Sequence, residues 1–311
     1  MKMINRQSQP VLSVRDLKIS FSMYDKGLRK TNLCVIQSLS LDVFAGEILA
    51  VVGSSGSGKS LLAHAVLGIL PNNAAVSGSI KYNGEELTPG LQEKYRGSEI
   101  MFIPQSVDFL DPLMHVDKQV IGVRGTKEKQ EKAFKRYSLD KDTEKMYPFQ
   151  LSGGMARRVL ISTAVMGEPK LIVADEPTPG LNLEMALETL RHFRELADAG
   201  AAVLLITHDI DLALGVADRI AVFYAGTTVE TAPVDDFKSG KDALRHPYSK
   251  AFIDALPQNG FKPIPGAQPY AGDLPSGCLF AKRCQFRTDE CSGDIHMREL
   301  RGGEVMCVHA T

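Results

Sequence analysis

The sequence predicts an α/β fold built on a mostly parallel sheet, with a smaller irregular region appended at its C-terminal end. Three observations carry this. Short apolar runs of strand length alternate with segments of helical period, the pattern that covers a parallel sheet on both faces. A glycine- and serine-rich loop, GSSGSGKS from Gly53 to Ser60, joins one such strand to one such helix. After about residue 240 the helical period fades and proline and cysteine take over, with six prolines between Pro247 and Pro275.

The elements follow in order. PVLSVRDLKISF (10–21) and LSLDVFAGEILAVVG (39–53) read as strands from their alternation and β-branched content, the second interrupted by a turn at Ala45-Gly46. KSLLAHAVLGIL (59–70) has helical spacing and stops at Pro71. GSEIMFIPQ (97–105) is a short strand, and residues 122–150 are polar, with eight lysines or arginines between Arg124 and Lys145, the composition of a solvated helical face. SGGMARRVLISTAVMG (152–167) reads as a helix, KLIVADEP (170–177) as a buried strand, LEMALETLRHFRELADAG (183–200) as a helix closed by Gly200, and AAVLLITHD as a further buried strand. HPYSKAFIDALP is the last helical stretch.

Composition narrows the function. The 311 residues are 44% hydrophobic and 23% charged with a net charge of -1, so no broad basic surface exists for nucleic acid. The N-terminal MKMINRQSQPVLSV lacks the apolar centre of a secretory signal, and no run reaches the roughly 18 to 20 apolar residues of a membrane helix. The expected location is the cytosol, where structural disulfides are disfavoured and clustered cysteines more often hold metal or do redox work.

GSSGSGKS fits the pattern of glycine, four residues, then Gly-Lys-Ser. Glycines at Gly53, Gly56 and Gly58, with Ser54, Ser55 and Ser57 between them, let successive backbone N–H groups turn inward around phosphate oxygens. The following helix offers its positive end to the same anion. Lys59 is expected to reach the β- and γ-phosphates of a nucleotide and the Ser60 hydroxyl to ligate Mg²⁺. LIVADE (171–176) delivers two acids at the end of an apolar strand. Asp175 is expected to back the Mg²⁺ site and Glu176 to polarise an attacking water.

LSGGM (151–155) resembles the signature of ABC ATPases, a family in which the signature of one subunit completes the ATP site of another. The resemblance continues in order: Gln105 in IPQS is similar to the glutamine lid, ADEPTPGLN to the acidic strand with its D-loop, and His208 in LLITHD to the switch histidine. It implies a P-loop NTPase with a RecA-like core over residues 1–240, a small helical subdomain at about 106–158, and a cysteine-containing extension at 241–311. It implies that Phe21 stacks on adenine, a core phenylalanine being the alternative. It further implies that Gln105 senses Mg²⁺ and the water beside the membrane partner, that Ser152, Gly153 and Gly154 close on the γ-phosphate of the opposite subunit, and that His208 hydrogen-bonds that phosphate. Asn182 and Pro179-Gly180 depart from the usual D-loop residues, which bears on communication between the two sites.

HPYSKAF, IPGAQP, LPSGCLFAKRC and the terminal VMC resemble the C-terminal extension of the ATPases that drive oligopeptide, dipeptide and nickel importers. This implies an ATP-hydrolysing subunit on the cytoplasmic face of the membrane, for peptides or a nickel or metal chelate. Its partners would be a related second ATPase subunit, two transmembrane permeases and an external binding protein. Rival readings are a non-transport ABC ATPase of DNA repair or translation, and a subunit that binds ATP but hydrolyses it weakly. The spacing C-x5-C-x6-C-x15-C, through Cys278, Cys284, Cys291 and Cys307, is wider than the tight knuckles of zinc sites. A [4Fe–4S] cluster, Zn²⁺ and unliganded thiols all stand open.

Overall fold

The computed structural model describes residues 9–24, 27, 29–54, 56–122, 125–167 and 169–311. Chain order begins with β1 (Leu12–Tyr24), β2 (Lys30–Val43), β3 (Ile48–Gly53), α1 (Lys59–Leu67), β4 (Ala74–Tyr82), β5 (Glu85–Glu86), α2 (Pro89–Tyr95) and β6 (Ile100–Ile103). It continues with α3 (Val116–Ile121), α4 (Lys127–Arg136), α5 (Gly153–Ala164), β7 (Leu171–Asp175), α6 (Leu183–Asp198), β8 (Ala202–Ile206) and α7 (Ile210–Val216). Last come β9 (Arg219–Tyr224), β10 (Thr227–Pro233), α8 (Val234–Lys238), α9 (Pro247–Asp254), β11 (Arg298–Leu300) and β12 (Gly303–Val305).

The strands lie in the order β5-β4-β1-β2-β10-β9-β3-β8-β7-β6. From β9 to β6 every neighbouring pair is parallel, whereas β1, β2, β4 and β5 form an antiparallel layer joined to the rest through β2 and β10. Alternation explains how the parallel strands are covered. Ile48, Ala50 and Val52 of β3 face one core, with α5, α6 and α7, while Leu49 and Val51 face the other, with α1 and the antiparallel layer. β7, β8 and β9 divide in the same way, which is why these strands read as unbroken apolar runs.

Several element boundaries differ from the sequence reading; β2, for example, begins at Lys30 rather than at 39, and α5 ends at Ala164 rather than at 167. α1 ends at Leu67, three residues before the predicted end, because Gly68 takes a left-handed conformation (φ 66°) and its N–H caps the carbonyls of Ala65 and His64. That conformation is cheap only for glycine, so it stops the helix ahead of Pro71. The basic segment at 122–150 is helical over α4 and otherwise made of short turns.

The C-terminal residues are stapled to the sheet rather than packed as a separate layer. β12 pairs with β10, and β11 with β12. At the junction the buried Glu230 carboxylate accepts from the backbone N–H groups of Arg245 and His246, both at 2.8 Å. The buried Arg245 guanidinium lies 3.3 Å from Glu230 and 2.7 Å from Asp236. Beside this node Phe280 enters the core against Tyr224 and Tyr248.

Candidate functional site

Four neighbouring strands, β3, β8, β7 and β6, run parallel and in register, with Val51 opposite Ile206, Ile206 opposite Asp175, and Ala174 opposite Ile103. Their carboxyl ends therefore open on one edge, where ligands bind in open α/β sheets. Each end delivers one part: the glycine loop after β3, Thr207 and His208 after β8, Asp175 and Glu176 at β7, and Gln105 after β6. They line an open cleft of about 700 Å³ that includes Gly53, Lys59, Ser60, Gln105, Glu176 and His208.

Gly53 is required by close approach: a Cβ there would stand 2.2 Å from the carbonyl oxygen of Phe223 on β9. Lys59 is buried, and its ammonium donates to the carbonyls of Gly53 and Ser54, each at 2.9 Å. Burial pushes its pKa down, while the charges of Glu176 and Asp175 oppose that shift. Ser57, Gly58 and Ser60 complete the described loop and the first turn of α1; Ser55 lies outside the described residues.

Asp175 is almost fully buried, which pushes its carboxyl pKa up, and neighbouring Glu176 adds to the rise; the hydrogen bond with Ser60 opposes it. Its Oδ1 is buried with no hydrogen-bond partner. An orphaned carboxylate oxygen beside a serine hydroxyl fits a divalent cation, because oxygen ligands are what Mg²⁺ selects and an unpaired buried acceptor is otherwise costly.

Glu176 adopts a left-handed backbone (φ 48°), a conformation that is uncommon outside glycine, asparagine and aspartate and gathers at functional sites. Two contacts hold it: its N–H donates to Ile206 at 2.9 Å, and His208 Nδ1 meets its Oε2 at 2.7 Å. A carboxylate oxygen accepts, so Nδ1 is the donor of this pair, and His208 also lines the cleft.

Gln105 is exposed, and its position is fixed from behind by Arg157 of α5, which donates to the carbonyls of Pro104 (2.6 Å) and Gln105. Arg157 was not singled out in the sequence. Its signal was only its place in the helix that opens with Ser152, where a buried arginine demands acceptors. Ser152 caps α5 by accepting from Met155 at 3.3 Å, and Ser152 and Gly153 are exposed. None of Ser152, Gly153 or Gly154 lines the cleft of its own chain. Phe21 sits half-buried on β1 against the antiparallel core and also lies outside the cleft lining. Val35 and Phe252, which no motif marked, do line it.

The four clustered cysteines are free thiols, with Cys291 and Cys307 buried and Cys278 and Cys284 half-buried. They lie near enough for their charges to interact, and burial pushes the pKa values of Cys278, Cys284 and Cys307 up, that of Cys307 to about 11. Among the described residues no three His, Cys, Asp or Glu side chains are placed to hold a metal ion, so neither the zinc nor the iron–sulfur reading finds a preformed site.

Residues 36–179 match the family model described as ABC transporter, and residues 229–291 match the C-terminal region of oligopeptide/dipeptide transporters. The chain is 33% identical to the oligopeptide transport ATP-binding protein OppD of Escherichia coli (strain K12), over 96% of this chain and 93% of that one. It is 34% identical to OppD of Haemophilus influenzae over 91% of each. The chain belongs to the ABC transporter ATP-binding family. The fold agrees: an ATP-binding subunit of an ABC transporter superposes with a TM-score of 0.60 at 25% identity, covering 74% of this chain and 92% of that one. The dimeric cassette MJ0796 gives 0.62 at 22%, covering 72% and 98%. This ABC chain is thus an ATP-binding ATPase. Among the described residues no helix is long and apolar enough to cross a membrane.

Proposed function

We propose that this ATPase powers a peptide importer from the cytoplasmic face of the membrane. The observation that carries this is the near full-length similarity to oligopeptide transport ATP-binding proteins, which includes the C-terminal cysteine region. Peptides are favoured over nickel or a metal chelate because the matched relatives are named for oligopeptide or peptide import.

In this reading Lys59 and the N–H groups opening α1 bind the β- and γ-phosphates, and Phe21 flanks the base. Ser60, Gln105 and Asp175 hold Mg²⁺, whose positive charge neutralises phosphate oxygens when bound. Glu176 accepts a hydrogen bond from the attacking water, and His208, oriented through its Nδ1 by Glu176, donates from Nε2 to the γ-phosphate when the ring carries both protons. Ser152, Gly153 and Gly154 face outward because they act on the nucleotide of the second, related ATPase subunit. The positive end of α5 suits that anion. Exposed Phe109, Leu113 and Phe149, close in sequence to Gln105 and to Ser152, form the docking face for the two permeases, which an external binding protein feeds. The [4Fe–4S] reading of the four thiols rests on their sequence spacing, which is wider than the tight knuckles of zinc sites.

Phosphate release by the chain, assembled with candidate permeases, partner ATPase and binding protein, tests the proposal. Stimulation by peptide-loaded binding protein is expected. Stimulation by a nickel chelate and by no peptide would replace the peptide assignment.

A further inference from the structure

We infer that the C-terminal extension is part of the nucleotide site of its own chain, through Gln268, which positions the phosphate loop by holding Ser54, with Tyr248 packed beside that contact. The inference rests on the nucleotide occupying that loop. Ser54 Oγ donates to Gln268 Oε1 at 2.6 Å, across 214 residues of sequence. The Tyr248 hydroxyl lies near the same serine. The carbonyl of Ser54 in turn accepts from the Lys59 ammonium at 2.9 Å. One loop residue is thus held from outside by Gln268 of the extension, with Tyr248 beside it, and holds Lys59 from inside. Phe252, one turn beyond Tyr248 on α9, forms part of the cleft wall.

The grip has firm backing. Tyr248 is buried between Tyr224 and Phe280, with ring centroids 4.5 and 5.3 Å away. The segment leading to Gln268 is held by Arg283, which donates to the carbonyls of Ile264 (3.0 Å) and Pro265 (2.8 Å) and to the Tyr224 hydroxyl (3.3 Å). Arg283 adjoins Cys284, so the cysteine region anchors the strap that reaches the loop. A glycine-serine loop has many conformations to lose on binding phosphate, and fixing Ser54 beforehand removes part of that cost. Gln268 and Tyr248 are positioning residues: they touch the loop, not the reacting atoms.

The test measures ATP affinity with a fluorescent ATP analogue, and steady-state hydrolysis in the assembled complex, for Gln268→Ala, Tyr248→Phe, Ser54→Ala and the double variant Gln268→Ala/Ser54→Ala. Loss of one such hydrogen bond predicts affinity weakened roughly three- to tenfold. For Gln268→Ala and Tyr248→Phe KM should rise with kcat unchanged, and the melting temperature should stay at the parent's. Because Gln268 acts through Ser54, the double variant should be no worse than Ser54→Ala alone. Additive losses, unchanged affinity in Gln268→Ala and Tyr248→Phe, or a fall in melting temperature with unchanged affinity would each overturn the inference. Lys59→Ala separates it from its premise: a Lys59→Ala protein that binds the analogue like the parent would show instead that the nucleotide lies elsewhere.

Discussion

The sheet edge and the C-terminal extension achieve order in opposite ways. At the sheet edge, β3, β8, β7 and β6 are locked in register by parallel ladders, so the side chains at their ends are placed by backbone hydrogen bonds. The extension has one two-turn helix and two three-residue strands, and its order comes from point staples: the Glu230 node, the Tyr224, Tyr248 and Phe280 cluster, and the strap through Arg283. Chemistry that must hold a phosphate and a water to a fraction of an ångström belongs on the first kind of frame. The second kind costs little chain and can be loosened by single groups.

If that contrast is right, substitutions of the acids at the sheet edge should change chemistry without changing stability, and those that break the Glu230 node should change stability without changing chemistry. Glu176→Gln gives the largest expected effect. Replacing the carboxylate that faces the water should lower kcat by about 10²- to 10⁴-fold, with ATP affinity and melting temperature retained. Phosphate release in the assembled complex and a nucleotide titration measure both halves. A Glu176→Gln protein that melts well below the parent would blur the distinction, since its left-handed backbone would then be the feature that matters.

Glu230→Ala probes the other side. It strips the acceptor from two backbone N–H groups and leaves the buried Arg245 with Asp236 as its remaining carboxylate. Breaking a buried pair from one side costs about 3–5 kcal/mol. Chemical denaturation should show that loss, with residues beyond Arg245 losing hydrogen-exchange protection before β3, β7 and β8. Simultaneous loss everywhere would mean that the two regions unfold as one unit.

The thiols sharpen the same contrast at smaller scale. In metal-free protein Cys307, with its pKa pushed up to about 11 by burial, should be alkylated about a hundredfold more slowly at pH 8 than a small thiol of ordinary pKa. The rate should climb about tenfold per pH unit below that value, followed by mass spectrometry against a denatured control. Anaerobically prepared protein with about four irons and matching sulfide, lost in Cys291→Ser, would establish the cluster. Fast labelling of Cys307 at neutral pH would show that its pocket opens.

Legibility in the sequence follows the same division. That Gly53, Lys59, Ser60, Glu176 and His208 meet at one cleft was readable because the glycine pattern, the acidic strand end and the family resemblance each place them just after an apolar strand, and strand ends are visible as periodicity. Arg157 was not, since its role is to satisfy carbonyls brought near only by folding. Gln268 and Tyr248 were least readable of all: their link to Ser54 spans most of the chain and depends on how loops without any period settle. The end of α1 at Gly68 was available in principle, and Pro71 was read as the stop because proline is the louder signal. The register that aligns four strand ends had no counterpart in the sequence beyond the alternation of strand and helix.

The smallest effect tests the joint between the two regions. His246 caps α9, its Nδ1 accepting from the Tyr248 N–H at 2.9 Å, so the ring is neutral with its proton on Nε2. Complete burial pushes its pKa down to about 3. Above pH 6.5 the histidine is neutral whether folded or unfolded and contributes no pH dependence. Below it the unfolded chain takes up a proton that the folded chain refuses, so stability falls as the pH drops from about 6.5 towards 3. The slope is about 1.4 kcal/mol per pH unit, or about 2 kcal/mol lost by pH 5. His192, bonded to Tyr137 and held down to about 4 by burial, bends the curve the same way and stays in place as an internal reference. His246→Asn keeps an acceptor for the Tyr248 N–H but cannot titrate. Denaturation at pH 7 and pH 5 should therefore show the parent losing about 2 kcal/mol more than His246→Asn. Because Tyr248 reaches Ser54, acid should also weaken ATP binding in the parent more than in the variant. Equal slopes in the two proteins would mean that the ring is already charged or accessible in the folded state, and the joint would then be looser than its burial implies.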